Sequence, residues 1–225
     1  MFSEIRANIV FAIIFASCIS TPQRSAQQFS VTFDNEYVTA SVTLPPKEHP
    51  TIITGSAAIA INPFVRLFLP TASATPKSEA LGHSSDKGIR VTFFSSGDLF
   101  LSDSSEPQDG QFIDIDLKSI PAKASFKDDA VKSDKAHNEV LLENDRIRVV
   151  RIHFAPGESG PMVDKRPRVI VAVTDSQATV TFPDGHSEPR EMKAGTVSFG
   201  NAGRQATKNT GTTPLENIVV ELKSK

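Results

Sequence analysis

The chain has 225 residues, 39% of them hydrophobic, and a formal net charge of −2 at pH 7. This length and hydrophobic content allow one large or two small domains with buried cores, and they exclude a disordered chain and a membrane bundle. The near-neutral charge gives no long-range attraction for nucleic acid or anionic lipid. The composition therefore predicts a globular protein that does not bind nucleic acid.

The N-terminal residues 1–26 are predicted to be a signal peptide. An apolar run at residues 7–20 follows the mixed-charge start MFSEIR and is too short to span a membrane comfortably. Ser20 and Ala26 are the two candidate cleavage points, and Arg24 at the −3 position argues against Ala26. We expect export to the periplasm or the extracellular space, with membrane contact only through this segment or a lipid anchor. The alternative is an uncleaved membrane anchor.

The single cysteine, Cys18, lies inside this predicted signal segment. A chain cut after Cys18 contains no disulfide and no cysteine ligand for a metal. The stretch FASC, which ends at Cys18, loosely resembles a lipoprotein box, so lipidation is the alternative to an inert cysteine.

Residues 30–118 have short strand-like patterns separated by turn residues. These patterns include DNEYVTASVTLPPKE, SSGDLFL and FIDIDLK, in which β-branched and aromatic residues alternate with polar ones. The following stretch, residues 119–138, is charged and poor in apolar residues, as is typical of a linker. We therefore predict a first β domain at 30–118, packed separately from a second domain at 139–225.

The second domain has clearer strand signals. In DRIRVVRIHF the apolar alternation slips by one residue after Val149, which predicts a β-bulge in this strand. VIVAV is apolar throughout and fits a strand buried on both faces. ATVTFPDGHSEPREM predicts a hairpin with its turn at residues 183–186, and AGTVSFG and ENIVVELK add two strands. These patterns indicate a small β sandwich or barrel.

The two domains repeat one order of patterns. Residues 34–48 can be laid over residues 143–158 with one extra residue in the second copy. SSGDLFL is similar to KAGTVSF, and FIDIDLK is similar to NIVVELK. The preserved order predicts an internal repeat of one topology, and chance similarity among short strands is the alternative.

The second copy resembles the small bacterial cupin domains, over the stretch from LLENDRIRVVRIHFAPGESGPM to LENIVVELK. With the weaker first copy, the resemblance implies an all-β chain of two tandem jelly-roll barrels after the signal segment. It also implies a central pocket in which two motifs supply three histidines and one glutamate to a divalent metal.

The residues at these ligand positions cannot serve that metal. The histidine positions fall on Val163, Lys165 and Gln205, and the glutamate position falls on Val169 or Ile170. The first copy has no ligands either: its opening position is Lys47, its ligand positions fall near Ile53 and Gly55, and His49 is out of register. The five histidines are expected in surface or turn positions: His49, His83, His137, His153 and His186. We therefore predict no metal and no other cofactor.

Basic and polar residues of the two motif loops are the best candidates for a site. Lys165, Arg168, Arg204 and Gln205 are predicted to line the barrel mouth, where they would bind a carboxylate or phosphate. We assign no catalytic residue.

The leading hypothesis is an exported, metal-free module that binds a small anionic ligand or a protein partner and that could dimerise. One alternative is a cofactor-independent acid–base enzyme that uses Glu158, Asp164 and His153. The other is a structural partner protein that uses one barrel face.

Overall fold

The computed structural model describes residues 29–43, 57–60, 62–70, 83–84, 88–101, 110–121 and 126–224. These residues form β-strands and one short helix, so the predicted all-β class is confirmed. The predicted signal segment with Cys18 lies outside the described residues. The side chain of His83 also lies outside them, as do the ligand and neighbouring positions of the first copy, which are Lys47, His49, Ile53 and Gly55. Within the described part of the chain, no helix is long and apolar enough to cross a membrane.

The N-terminal half contains eight described strands. Six of them form one antiparallel sheet in the order β1-β2-β8-β4-β6-β5, and β3 pairs with β7. Their bounds are β1 Phe29–Asp34, β2 Val38–Thr43, β3 Ala57–Ile59, β4 Phe64–Pro70, β5 His83–Ser84, β6 Arg90–Phe94, β7 Leu99–Leu101 and β8 Gly110–Leu117.

The C-terminal half contains two described sheets. The first has the order β15-β12-β17-β10-β9 and the second has the order β11-β16-β13-β14. The bounds are α1 Ala130–Ser133, β9 Asn138–Glu143, β10 Ile147–Phe154, β11 Val163–Lys165, β12 Arg168–Ala172, β13 Ser176–Thr181, β14 Ser187–Met192, β15 Val197–Gly200, β16 Gly203–Asn209 and β17 Leu215–Leu222. The predicted hairpin is β13 and β14, which pair from Ser176 opposite Met192 to Thr181 opposite Ser187.

The two halves repeat one strand order. From its β9 edge the C-terminal five-stranded sheet is ordered β9-β10-β17-β12-β15, and the N-terminal sheet begins β1-β2-β8-β4-β6. Each half therefore has an initial hairpin, then the last strand of that half, then two strands from its middle. Among the described strands, every pairing joins strands of the same half. Two of the three repeated patterns fall on equivalent strands, β2 with β10 and β8 with β17. The third match is wrong, because SSGDLFL ends in β7, which pairs with β3, whereas KAGTVSF leads into β15, whose place in the N-terminal sheet is taken by β6.

The predicted bulge lies on the neighbour of β10. The pairing of β10 with β9 shifts register between Val149 and Val150, so the extra residue is Leu141 of β9. Against β17, β10 is regular along its whole length. The phase change in β10 has a different cause, because both faces of this strand are buried: Val149 contacts one apolar cluster and Phe154 another.

The two halves share one hydrophobic core. A single cluster of buried residues includes Leu67 of β4 and Ile218 of β17, both with no exposed surface. At its margin the ring of Tyr37 stacks on Phe199, with ring centroids 6.2 Å apart. The expectation that the halves pack separately is therefore wrong, because one face of each large sheet is covered by the other half. The domain boundaries themselves stay a prediction.

Part of the expected linker packs on the C-terminal half. Asp129 caps α1 by accepting hydrogen bonds from the backbone N–H groups of Val131 and Lys132. The same carboxylate accepts two hydrogen bonds from Nη1 of Arg148, at 3.0 and 2.9 Å. Residues 126–138 are therefore held against the second half by a charged group that the sequence pattern does not reveal.

Candidate ligand-binding site

The register of β11 and β16 brings three of the candidate positions together. Val163 lies opposite Gln205, and Lys165 lies opposite Gly203. Residues opposite one another, and residues two apart on one strand, share a face of the sheet. Val163 is only 3% exposed, Lys165 and Gln205 are half-buried, and Gly203 is exposed, so this face is buried at the Val163 end and opens toward Gly203. We call it the interior face, because it lies between the two sheets of the C-terminal half.

The register of β12 resolves the glutamate position. Val169 lies opposite Val220 and belongs to the core shared by the two halves. Ile170 has the opposite orientation and shares the face of Arg168, because successive residues of a strand alternate. Ile170 is therefore the residue at the glutamate position that belongs to the interior face.

A buried ion pair lies on the same face of the five-stranded sheet. Arg148 donates to Oε2 of Glu221 from Nε at 2.8 Å and from Nη2 at 2.6 Å. Arg168 lies directly opposite Glu221 across β12 and β17. Arg148, Arg168 and Glu221 are each less than 10% exposed. Arg148 and Glu221 are not among the site residues predicted from the sequence, because an arginine or a glutamate between apolar strand residues is more often exposed.

Burial strongly affects the two cations predicted from sequence. Burial, together with the charge of Arg168, lowers the pKa of Lys165 to about 8, although Glu221 and Asp134 oppose the change. Burial also lowers the pKa of Arg168 to about 10, although Glu221 again favours the charged form. Since these charges act on Lys165, its ammonium lies close to the ion pair of the facing sheet.

Lys165 and Arg168 lack carboxylate partners among the described residues. Nη1 of Arg168 donates to the backbone carbonyls of Arg166 at 3.1 Å and Asn201 at 2.9 Å. No described residue is within hydrogen-bond distance of the Lys165 ammonium. A Cβ atom placed on Gly203, opposite Lys165, would have no heavy atom within 4 Å. Gly203 is exposed, so the open space opposite Lys165 is continuous with solvent.

Arg204 does not join this cluster. It lies opposite Asp164, on the other face of β11 and β16. Its Nη1 atom bonds the carboxylates of Asp128 at 2.5 Å and Asp164 at 3.1 Å, and its Nη2 atom donates to the carbonyl of Met162 at 2.9 Å. Arg204 holds the segment that contains α1 in place.

The three acid–base candidates also lie apart from the interior face. The backbone N–H of Lys127 and the side chain of Arg204 lower the pKa of Asp164, which weakens it as a base. Glu158 accepts a hydrogen bond from the backbone N–H of Ala155 at 2.7 Å, and His153 is exposed. The contacts of these residues fit turn and loop structure.

His137 is not the surface histidine that we expected. Its side chain is 17% exposed, and Nδ1 is 2.6 Å from Oδ1 of Asp134. The imidazole stacks on Phe154 with ring centroids 4.4 Å apart, and Nε2 is 3.4 Å from Oε2 of Glu158. In contrast, His186 is half exposed in the hairpin turn, as predicted.

The residues at the cupin ligand positions do not fit a metal. Val163 and Ile170 carry no donor atom, and a lysine ammonium repels a cation. Gln205 offers one amide oxygen. In the part of the chain that the structure describes, no three His, Cys, Asp or Glu side chains are grouped so that they could hold a metal ion. We therefore derive no chemistry through a metal.

Comparison with solved structures identifies the fold. AerE from Microcystis aeruginosa matches with a TM-score of 0.50 and 11% identity over 90% of this chain and 95% of AerE. A cupin 2 conserved barrel domain protein from Leptotrichia buccalis matches with a TM-score of 0.48 and 10% identity, over 90% of this chain and 92% of that one. A cupin domain from Bordetella pertussis covers 39% of this chain and 92% of its own length at 21% identity, with a TM-score of 0.37. No family model and no curated protein matches the sequence.

The chain is thus an all-β protein that shares its fold with AerE. Solved cupin structures are among its matches, in agreement with the resemblance predicted from residues 139–224.

Proposed function

We propose that this chain is an exported protein of two tandem cupin-like barrels, and that its C-terminal barrel binds a small anionic molecule without a metal. The observation that carries the proposal is the pair Lys165 and Arg168 on the interior face, beside the open space at Gly203. The ligand class is a carboxylate or a phosphate, since both accept charge-assisted hydrogen bonds from lysine and arginine.

The distribution of charges on the interior face supports this ligand class. The two carboxylates that act on Lys165 are Glu221 and Asp134, and they already contact Arg148 and His137, respectively. Lys165 and Arg168 have no carboxylate within hydrogen-bond distance among the described residues. Two such cations in a poorly solvated space favour an anion that would replace their lost hydration.

Gln205 adds a neutral group to the site. It lies opposite Val163 on the same face as Lys165, and no described residue forms a hydrogen bond with its side chain. Its amide can donate to an anion or accept from a hydroxyl group of the same molecule. This combination of two cations and one amide fits a small hydroxylated or oxo acid.

Binding is tested by thermal unfolding of the purified protein with succinate, citrate, pyruvate or inorganic phosphate at constant ionic strength. A ligand that binds only the folded state raises Tm with concentration. Lys165→Met and Arg168→Gln should abolish the rise, whereas Lys208→Met, at an exposed position on β16, should keep it. An equal rise in all three variants, or no rise with any of these anions, contradicts the proposal.

Export is tested on the natural protein. The apolar run at residues 7–20 supports cleavage before residue 30. We expect the intact mass of protein from the native host to match a chain that begins between residues 17 and 29, with or without a lipid on Cys18. A full-length mass in the cytoplasmic fraction contradicts export but leaves the binding proposal standing.

A further inference from the structure

We infer that Lys165 is a nucleophile that forms an imine with the carbonyl group of a small oxo acid whose carboxylate is held by Arg168. The inference rests on the proposed anion site and names its substrate class. It goes further because it assigns a covalent step to one side chain.

The position of Lys165 suits this role. It is the last residue of β11, on the interior face with Val163, and its cross-strand neighbour is Gly203. Gly203 is exposed and has no side chain, so the position opposite Lys165 is open to solvent and a small carbonyl compound can approach from there. No described residue accepts a hydrogen bond from the amine, so its lone pair is not blocked once the proton is lost.

The protonation of Lys165 also suits this role. An amine attacks a carbonyl group only in its neutral form, and an ordinary lysine is almost entirely charged at neutral pH. Because burial and the charge of Arg168 lower the pKa of Lys165 to about 8, roughly one molecule in ten carries the neutral amine at pH 7. Desolvation and a neighbouring cation are the usual means by which proteins activate a lysine for imine formation.

The other described lysines with resolved contacts differ from Lys165. Lys193 is exposed beside Asp175 and Glu191, and its hydrogen bond to Asp175 raises its pKa. Lys223 binds Glu143 at 2.9 Å. Both lysines bind carboxylates of the protein, and the raised pKa of Lys193 makes it the internal comparison for reactivity.

The step balances without another reagent. The lone pair of Nζ attacks the carbonyl carbon and forms a C–N bond, while the carbonyl π electrons move to oxygen. A proton passes from nitrogen to that oxygen, which gives a carbinolamine. The hydroxyl group then leaves as water and the C=N bond forms. Arg168 contributes by binding the carboxylate, which raises the local concentration of the carbonyl group at Lys165.

The test uses pyruvate as the probe and sodium cyanoborohydride to reduce any imine to a stable secondary amine. Intact mass and peptide mapping of the full chain should find one reduced pyruvate adduct on Lys165. We expect Lys165 to be labelled about tenfold faster than Lys193, or more. Labelling should rise between pH 6 and pH 8. Acetone, which has the carbonyl group but no carboxylate, should label Lys165 more slowly than pyruvate.

Two conservative variants complete the test. Lys165→Arg keeps the positive charge and should remove the adduct, and Lys193→Arg should leave it unchanged. Equal labelling of Lys165 and the exposed lysines overturns the inference. A rise of Tm with succinate, which cannot form an imine, together with no adduct from pyruvate, overturns the inference and leaves the proposed anion site standing. No rise of Tm and no adduct overturns both.

Discussion

Nη2 of Arg148 is 2.6 Å from Oε2 of Glu221, and both side chains are almost completely buried. Water does not solvate these two charges, so each depends on the other for compensation. A buried ion pair adds little to the free energy of unfolding compared with two apolar residues of similar volume. Removing one partner is costly, however, because it leaves a buried charge without compensation. Glu221 also offsets the charges of Arg168 and Lys165. The carboxylate of Glu221 therefore partly compensates three cations on the interior face, which are Arg148, Arg168 and Lys165.

The first prediction concerns this pair. Glu221→Gln should lower the free energy of unfolding by about 3 kcal/mol or more, because it leaves Arg148 without its main partner. The double variant Arg148→Met with Glu221→Met should lose less free energy of unfolding than the sum of the losses in Arg148→Met and in Glu221→Met alone. Urea denaturation of the two single methionine variants, the double variant and Glu221→Gln measures these losses. The matched control is the exposed pair Arg190 and Glu188, where Glu188→Gln should cost about 1 kcal/mol or less. Additive costs for Arg148 and Glu221 would contradict the coupling.

The second prediction concerns the core shared by the halves. Leu67→Ala in the N-terminal half and Ile218→Ala in the C-terminal half should each cost about 2–5 kcal/mol, because each removes a fully buried side chain and leaves a cavity. Each change should lower the protease resistance of both halves together. Val140→Ala is the control, since Val140 is 40% exposed.

The measurement is denaturation followed by pulse proteolysis, with the fragments of each half quantified by mass. Two independent transitions, each sensitive only to the substitution in its own half, would contradict a shared core.

The fold could be predicted because local patterns of polarity determine it. The hairpin at residues 183–186 needs only a turn sequence between two alternating strands, and it lies where expected. Two of the three repeated patterns were matched correctly, since β2 with β10 and β8 with β17 have the same places in the two sheets. The doubly buried strand β12 was recognisable because VIVAV has no polar position.

The candidate site could be predicted only in part. Lys165 and Arg168 were found through the cupin resemblance, which gave their register. Arg148 and Glu221 were not found, because alternation of polar and apolar residues is the same whether the polar face meets solvent or a polar interior. Arg204 lies on the opposite face from Lys165, and neither charge nor spacing along the chain reveals this difference.

The packing of residues 126–138 was also beyond the sequence pattern. A stretch rich in charge and poor in apolar residues is typical of a solvated linker. Here the charges pair across long separations, with Asp129 on Arg148 and Asp128 on Arg204. Such pairs depend on which strands the fold places beside the segment.

The third prediction is that acid releases the segment of residues 126–138. Burial raises the pKa of Asp129, but its hydrogen bonds and the charge of Arg148 outweigh this effect, so the pKa lies below the ordinary 3.8. The pKa of Asp164 is also lowered, first by the backbone N–H of Lys127. A carboxyl group with a lowered folded-state pKa stabilises the fold above its unfolded-state pKa and loses this contribution as the pH falls through the folded value. Detachment should therefore begin below about pH 4.

Hydrogen exchange at residues 126–137 measures this release, with a free peptide of the same sequence correcting for the intrinsic pH dependence. Protection should be full at pH 6 and should decrease as the pH is lowered below about 4, whereas the core strand β17 keeps more of its protection. In the double variant Asp129→Asn with Asp164→Asn, protection of the segment should already be weaker at pH 6. Unchanged protection in the double variant would show that these carboxylates do not hold the segment.

The last prediction is that Lys165→Met stabilises the protein. A folded-state pKa of about 8, below the ordinary 10.5 of lysine, means that the folded state opposes the charged ammonium. The unfolded chain keeps its proton up to pH 10.5, so the cost is fully present below pH 8 and disappears as the pH rises from 8 to 10.5.

Methionine fills a similar volume without a charge, so the free energy of unfolding at pH 7 should rise by about 1–2 kcal/mol, after allowance for the partial exposure of this side chain. Urea denaturation at pH 7, 9 and 10.5 should show that the difference in free energy of unfolding between Lys165→Met and the natural chain decreases as the pH rises. Lys193→Met, at an exposed site where carboxylates favour the charge, should give no gain. A destabilised Lys165→Met would mean that the ammonium has a stabilising partner in the folded state, and the anion site would lose one of its two cations. If only Lys165→Met raises the free energy of unfolding, the natural chain keeps an unfavourable charge on the interior face. This result is expected where a binding residue reduces stability.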